Sequence, residues 1–444
     1  MELLTAEDSE DQQRRVAGGL LARGLGPGNR VAMRTRGDAS MLSAVLGALR
    51  VAIVPIVLNS ALLPHERDAL LTDARPTLEI DDALLAELLQ GPPTDLAPVP
   101  LARPMHYTSG TSGTPKGVWS GVLEEDDAQA LVDEESELWG FDAGDRHLIC
   151  SPLHHSAPIR FGAGTLLRGG SVLVLGRFDA AEAARVIAEH RPTSSFMVPS
   201  HLQRLFALGD LPSLASFRLL AHAGAPCPPP LKRAAIDAFP DGSVWEFYGS
   251  TEGQFTACPA DDWLERPGTV GRARPGRRLS IDPDDTIWCE APRHARFTYW
   301  DDPVATAAAW RNAGTDAAQF SVGDLGRLDD DGFLWLDGRR DDLIISGGVN
   351  VYPVEVEHAL ASMSGLDQVA VFGVDDERWG QRVCAAVVGD VDPTAVIAFA
   401  RSQLAPYKCP KSVYPIAELP HTSTGKVQRN AVAAVLGLEP AGGI

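Results

Sequence analysis

The chain has 444 residues, 45% of them apolar and 22% charged, a globular composition too long for one ordinary hydrophobic core. Its 39 Lys and Arg against 59 Asp and Glu give a formal charge of −20, which opposes nonspecific binding to nucleic acid or to an anionic membrane but not a site for one small anion. Six cysteines without a C-x-x-C pair argue against a disulfide framework or a zinc site and for the reduced thiols of the cytoplasm; the acidic first residues show neither a basic n-region nor an apolar h-region, and no apolar run reaches membrane length.

In chain order, residues 11–24 have helical spacing, 30–33 read as a strand, 40–49 as an apolar helix, 51–58 as a buried strand and 64–73 as a further helix. This alternation predicts parallel sheet with covering helices. A Pro-rich connection then leads to Y-T-S-G-T-S-G-T-P-K-G (Tyr107 to Gly117). Its hydroxyls, glycines and Lys116 suit phosphate oxygens, although the spacing is not that of a Walker A loop. An acidic helix over 124–138 reads as a solvated face. Strands and helices continue through S-P-L-H-H-S-A-P (Ser151 to Pro158), H-A-G-A-P (His222 to Pro226) and Y-G-S-T-E-G (Tyr248 to Gly253). Two strands that end in small-residue loops suit a ligand at the carboxyl edge of a sheet.

After Pro267 the texture turns to Gly, Pro and short strands, which predicts a small β subdomain up to about Asp337. A charged link, G-R-R-D-D (Gly338 to Asp342), precedes a compact α+β unit with a helix from Pro353, and P-H-T-S-T-G-K (Pro420 to Lys426) lies near the end. The expected fold class is α/β. A large N-terminal domain (1–338) of parallel-rich sheets with helices and a β subdomain is followed by a small mobile α+β domain (339–444).

Tyr248 can stack on a base, Thr251 can bind a phosphate oxygen and Glu252 can help hold Mg²⁺. Asp324 can accept from ribose hydroxyls, Arg339 can donate to ribose or phosphate, and Lys426 can reach a carboxylate and a phosphate together. Each alone also reads as an ordinary turn or surface residue. Together they cover what is needed to join a carboxylate to a nucleotide, because two anions must be held in contact.

With these motifs in this order, from about residue 28 to residue 430, the chain resembles the adenylate-forming acyl-CoA synthetases, the AMP-binding enzymes that include firefly luciferase and peptide-synthetase adenylation domains. The resemblance implies ATP, Mg²⁺ and coenzyme A as cofactors, an acyl-adenylate made with release of pyrophosphate, and transfer of the acyl group to a thiol. By motif match Thr108, Ser109, Gly110, Thr111 and Lys116 bind phosphates. Gly224, Ala225, Tyr248 and Gly249 count among the cofactor-binding residues, with Tyr248 stacked on adenine. Thr251 and Glu252 bind phosphate and metal, and Asp324 and Arg339 hold the ribose. Asp341 is the hinge, Lys426 the lysine of adenylation, and Gly347 and Gly348 the pantetheine path. The chain begins close to its first helix, which is short for the family. In P-L-H-H-S-A-P, His155 matches the family's histidine and counts among the catalytic residues, while His154 takes the place of an aromatic.

The implied acyl pocket comprises His155, Ser156, Phe196, Met197, Val198, Leu202, Gly224, Ala225 and Phe247. With no Lys, Arg or Glu among these, the expected acid is a hydrophobic monocarboxylic one: aryl, alicyclic, terpenoid or steroid-like, or fatty. A carrier-protein phosphopantetheine in place of coenzyme A, and a nucleotide-binding protein without catalysis, remain alternatives. The expected partners are this small acid and the thiol acceptor, with no nucleic acid and no membrane; a homodimer is compatible.

Overall fold

The computed structural model describes residues 1–60, 62–108, 116–339, 342–346, 349–376, 379–421 and 427–438. The protein is α/β, with a large N-terminal domain and a small C-terminal one. An eight-stranded sheet forms the centre of the large domain. Its inner strands, Ser171–Val174, Arg146–Ile149, Ser194–Met197, Leu219–His222 and Val244–Gly249, run parallel in that spatial order. Antiparallel strands cover both edges, Glu2–Thr5 on one side and Gln254–Pro259 on the other. The first strand was not expected. The apolar Leu3 and Leu4 pair with Leu173 and Val172, so the chain's start blunts an open sheet edge.

Because successive strand residues face opposite sides, the sheet divides its apolar residues between two cores. Leu148, Met197, Leu220 and Val244 pack on one face against the helices Ala180–His190 and Pro199–Phe206. Phe196, Leu219, Ala221 and Phe247 pack on the other, with Trp139 and Phe161. A second, three-stranded parallel sheet (Val54–Val57, Arg30–Arg34, Leu78–Asp81) carries the helices Ala6–Ala22 and Ala39–Leu49. Helix Ala6–Ala22 starts where the Thr5 hydroxyl accepts from the Asp8 amide, five residues earlier than the apolar spacing predicts.

Helix Ser156–Leu167 joins the two layers. Gly162 and Gly164 lower its intrinsic propensity, yet a Cβ at Gly164 would lie 2.2 Å from the Phe141 ring, and one at Gly162 2.9 Å from Ile149 and Leu42. Close packing on both sides explains the two glycines. Beyond this layer lie antiparallel strands of the β subdomain and the hairpin Asp324–Leu328/Leu334–Arg339. The C-terminal domain is built on the long pair Leu366–Asp376 and Gly380–Gly389, with helices Pro353–Leu360 and Pro393–Gln403 packed on its core. Among the described residues no helix is long and apolar enough to cross a membrane.

Candidate active site

The parallel strands deliver two of the predicted loops to one edge. Leu219–His222 runs into Ala223–Pro226, where Gly224 takes φ +94°, a conformation that an L side chain would strain. Val244–Gly249 runs into Ser250, Thr251 and Glu252, and its ladder with Gln254–Pro259 shifts register between Tyr248 and Gly249. The Ser250 amide donates to the Gly253 carbonyl at 2.8 Å, which closes the loop.

Two predicted residues meet here. The Tyr248 ring lies against Phe255, centroids 4.7 Å apart, and its hydroxyl donates to Asp324 Oδ2 at 2.5 Å. Asp324 stands opposite Arg339 in the hairpin register, so both ribose candidates share one end of that ribbon. Glu252 is buried, and its Oε1 accepts from the Tyr299 hydroxyl at 2.9 Å. Lys116 Nζ sits 5.2 Å from the centroid of the same Tyr299 ring. Tyr299 thus links the phosphate-loop lysine to the metal candidate. No motif singled it out, because it lies far along the chain in the short strand Thr298–Tyr299.

Thr108 ends the strand His106–Thr108 and pairs with Lys116 across the mouth of the phosphate loop. Ser109, Gly110 and Thr111 lie outside the described residues, as do Asp341, Gly347, Gly348 and Lys426. Among the described residues no three His, Cys, Asp or Glu form a metal cluster. A lone buried carboxylate fits Mg²⁺, which keeps waters and takes phosphate oxygens as its other ligands.

His155 is the N-cap of helix Ser156–Leu167, and its ring lies 4.1 Å from that of His154. His154 has a buried Nε2 without a partner, and burial lowers its imidazole to about 4. Burial also lowers His106 to about 4, although its Nδ1 contacts the His154 carbonyl at 3.2 Å.

A cavity of about 150 Å³ opens between this edge and the helical layer. Helix Ser156–Leu167 presents Ser156, Ile159, Arg160, Ala163, Gly164 and Leu167 to it, a single stripe at helical spacing. Leu46 and Leu49 face them, as do Leu131 and Val132, and Ser250, Thr251 and Gly253 border the same space. Of the residues predicted for the acyl pocket, Ser156 lines this cavity. Phe247 and Phe196 lie in the aromatic cluster, where Phe247 carries the Arg160 guanidinium at 5.1 Å from its ring. Met197 and Leu202 are fully buried in the core on the opposite face of the sheet and do not line the cavity. Strand alternation separates Met197 from Phe196.

Arg103, Arg160, Arg277 and Glu135 also line the cavity. One further expectation needs correction. The acidic helix, Glu125–Trp139, is not solvated all round: Glu134 and Glu135 are largely buried and paired with arginines. Burial alone would raise Glu134, but the hydrogen bond from His294 and the charges of Arg277 and Arg274 hold it at about 2. The stripe from Ser156 to Leu167 was readable as a helix face; the arginine at its fifth residue was the missed signal.

The stacked Tyr248 with Asp324, and the buried Glu252 that Tyr299 links to Lys116, stand where a nucleotide-dependent enzyme that activates acids is expected to hold its nucleotide. The model of the AMP-binding enzyme family matches residues 2–99 and 103–287, and that of the AMP-binding enzyme C-terminal domain matches 355–426. The chain belongs to the AMP-binding enzyme family. It is 28% identical to the long-chain-fatty-acid–CoA ligase FadD13 of Mycobacterium tuberculosis, over 94% of this chain and 90% of that protein. It is 30% identical to the 2-succinylbenzoate–CoA ligase of Bacillus licheniformis, over 94% of this chain and 92% of the other. ATP-bound MatB from Rhodopseudomonas palustris superposes with a TM-score of 0.84 at 28% identity, covering 97% and 93% of the two chains. The protein is an AMP-forming acid–thiol ligase, a class that uses ATP, Mg²⁺ and coenzyme A.

Proposed function

We propose that the protein activates a carboxylic acid with a largely apolar body, aryl or alicyclic in preference to long-chain, and passes it to coenzyme A. The observation that carries this reading is the cavity walled by Leu46, Leu49, Leu131, Val132 and Ile159, which borders Ser156 and Thr251 beside the nucleotide loops. A site of this size and lining takes a compact carbon skeleton and leaves its carboxylate at the polar rim.

In this reading Lys116 and the hydroxyl loop around it hold the triphosphate, while Thr251 and Glu252 orient its end and the metal. The metal screens the repulsion between the phosphates and the attacking carboxylate. No general base is required, because the acid is already ionised at neutral pH. Tyr248 and Asp324, joined by their hydrogen bond, form a preset seat for adenosine. Glu252 keeps its orientation through the Tyr299 hydroxyl. We assign adenylation to Lys426, the hinge to Asp341 at the boundary between 1–338 and 339–444, and the thiol path to Gly347 and Gly348, on their motifs. His155, at the helix N-terminus beside Ser156, borders the acid. The six thiols, none in a disulfide, accord with a cytoplasmic setting.

The test is acid-dependent pyrophosphate release from ATP over aryl, alicyclic, terpenoid and fatty acids, with and without coenzyme A. Turnover with one ring-bearing class that continues only when coenzyme A is present is the expected result. Release that stops after about one equivalent despite coenzyme A points to a carrier-protein acceptor. Strong preference for acetate or an amino acid would overturn the pocket assignment.

A further inference from the structure

The short strand His106–Thr108 points its side chains alternately to two sides. Residues directly opposite in an antiparallel pair share a face, so His106 lies on the side of Val118, and Thr108 on that of Lys116. Tyr107, opposite Gly117, faces away, and its hydroxyl donates to Asp73 at 2.6 Å. His106 and Val118 both line the cavity. His106 therefore stands on the cavity side of the strand that leads into the phosphate loop, on the same face as Thr108.

One nitrogen of the His106 ring is in use. Nδ1 contacts the His154 carbonyl at 3.2 Å, and a carbonyl oxygen only accepts, so Nδ1 carries the proton. Burial lowers the imidazole to about 4, which keeps it neutral at neutral pH. In a neutral ring with the proton on Nδ1, Nε2 is an acceptor. No described residue donates to His106 Nε2, and the atom is not sealed from solvent, in contrast to the unpartnered Nε2 of His147 and His154. The unpartnered nitrogens on the other cavity residues, Arg103 Nε and Arg160 Nε and Nη2, are sealed. Beside the apolar wall of Leu46, Leu49 and Val118, His106 thus presents a neutral acceptor to the cavity. An acceptor in such a place selects for hydrogen. An O–H of a ligand satisfies it, whereas a C–H or an ether oxygen leaves it desolvated without a partner.

We infer that the acid bears a hydroxyl on its carbon body, which donates to His106 Nε2, and that His106 is a specificity-determining residue. The preferred substrate is thus a compact ring-bearing hydroxy acid. This rests on the cavity being the acyl pocket.

Acids matched in shape test it: phenylacetate, its ortho, meta and para hydroxy derivatives, and the corresponding methoxy derivatives. Pyrophosphate release is measured for the full-length enzyme and for His106→Asn, His106→Gln and Ala163→Trp. In the wild-type enzyme one hydroxy isomer is expected to have a KM roughly 10-fold below that of phenylacetate, and its methoxy counterpart to show no gain, since an ether oxygen only accepts. The Asn amide nitrogen stands as many bonds from Cβ as Nδ1 does, so it keeps a donor for His154 and puts nothing in the place of Nε2. His106→Asn should therefore bring the KM ratio of hydroxy acid to phenylacetate to about one, a ratio that a general loss of structure would not move. The Gln amide reaches the place of Nε2, and His106→Gln should keep part of the preference. No preferred hydroxy isomer, an equal gain from hydroxy and methoxy acids, or a ratio unchanged in His106→Asn overturns the inference. Ala163→Trp fills the cavity from helix Ser156–Leu167. If every acid keeps its wild-type KM in that variant, the cavity is not the acyl pocket, and the placement of the substrate falls as well. If KM rises for every acid there while His106→Asn keeps the ratio, the pocket stands and the hydroxyl assignment alone falls. Release with none of these acids overturns the ring-bearing reading together with this one.

Discussion

Two buried charge clusters lie in the large domain, and they differ in balance. In one, Lys232 is fully buried on helix Pro229–Ala238, with Nζ 2.5 Å from His222 Nε2 and 3.2 Å from Glu246 Oε2. One cation meets one carboxylate and an imidazole that burial, followed by the charge of Lys232, keeps neutral. This cluster braces two strands just before they reach Gly224 and Tyr248. In the other, Arg103, Arg160, Arg274 and Arg277 outnumber Glu134 and Glu135, and Arg103, Arg160, Arg277 and Glu135 line a cavity. Charges that cancel inside the protein hold strands in place.

The largest expected effect is at the balanced cluster. Lys232→Met strands the Glu246 carboxylate and should destabilise the fold by about 3–5 kcal/mol in urea unfolding. A loss below about 1 kcal/mol would mean that the three groups are not coupled, and the contrast would fail. Arg274→Met removes the partner that Glu134 and Glu135 share, with an expected cost of about 3 kcal/mol.

The pH dependence of stability has two windows. Burial holds His147 at about 3 and His106 at about 4, against an ordinary 6.5. As pH falls through 6.5 the unfolded chain takes up these protons and the folded protein does not. Stability is therefore retained above pH 6.5 and lost progressively from there toward 4. Glu134 works in a lower window. It stays ionised to about 2 while the unfolded side chain protonates near 4.5, so its contribution is complete above 4.5 and disappears as pH falls toward 2. His147→Gln should flatten the upper part of a urea-midpoint profile and leave the lower part. The smallest effect is expected on the surface. Arg185→Ala breaks exposed pairs with Glu182 and Glu189 and should leave the melting temperature within experimental scatter.

Much of the fold was legible because its signals are local. Apolar runs of strand length alternate with helical spacing, and turn residues separate them, so a parallel sheet with covering helices follows from short windows of sequence. The N-terminal edge strand escaped notice because four residues carry too little pattern to distinguish a strand from a helix start. The motifs expected to bind the nucleotide are contiguous for a similar reason, since phosphate binding depends on neighbouring hydroxyls, glycines and a lysine. Met197 was misplaced for a geometric reason. A strand end points alternate residues to opposite faces, and which face meets the substrate depends on the layer packed there.

The sequence by itself determined the class of chemistry, because its carrying residues sit in short motifs whose spacing the backbone converts directly into loops at strand ends. Only the tertiary structure decided which side chains meet around the cavity. Arg103 comes from a connection, Arg160 from a helix, Arg274 and Arg277 from the β subdomain, and Glu134 and Glu135 from another helix. Read singly, each is a surface charge. Whether a charge is cancelled or left over depends on which groups burial brings within a few ångströms, and that distance is set by packing between segments far apart in the chain.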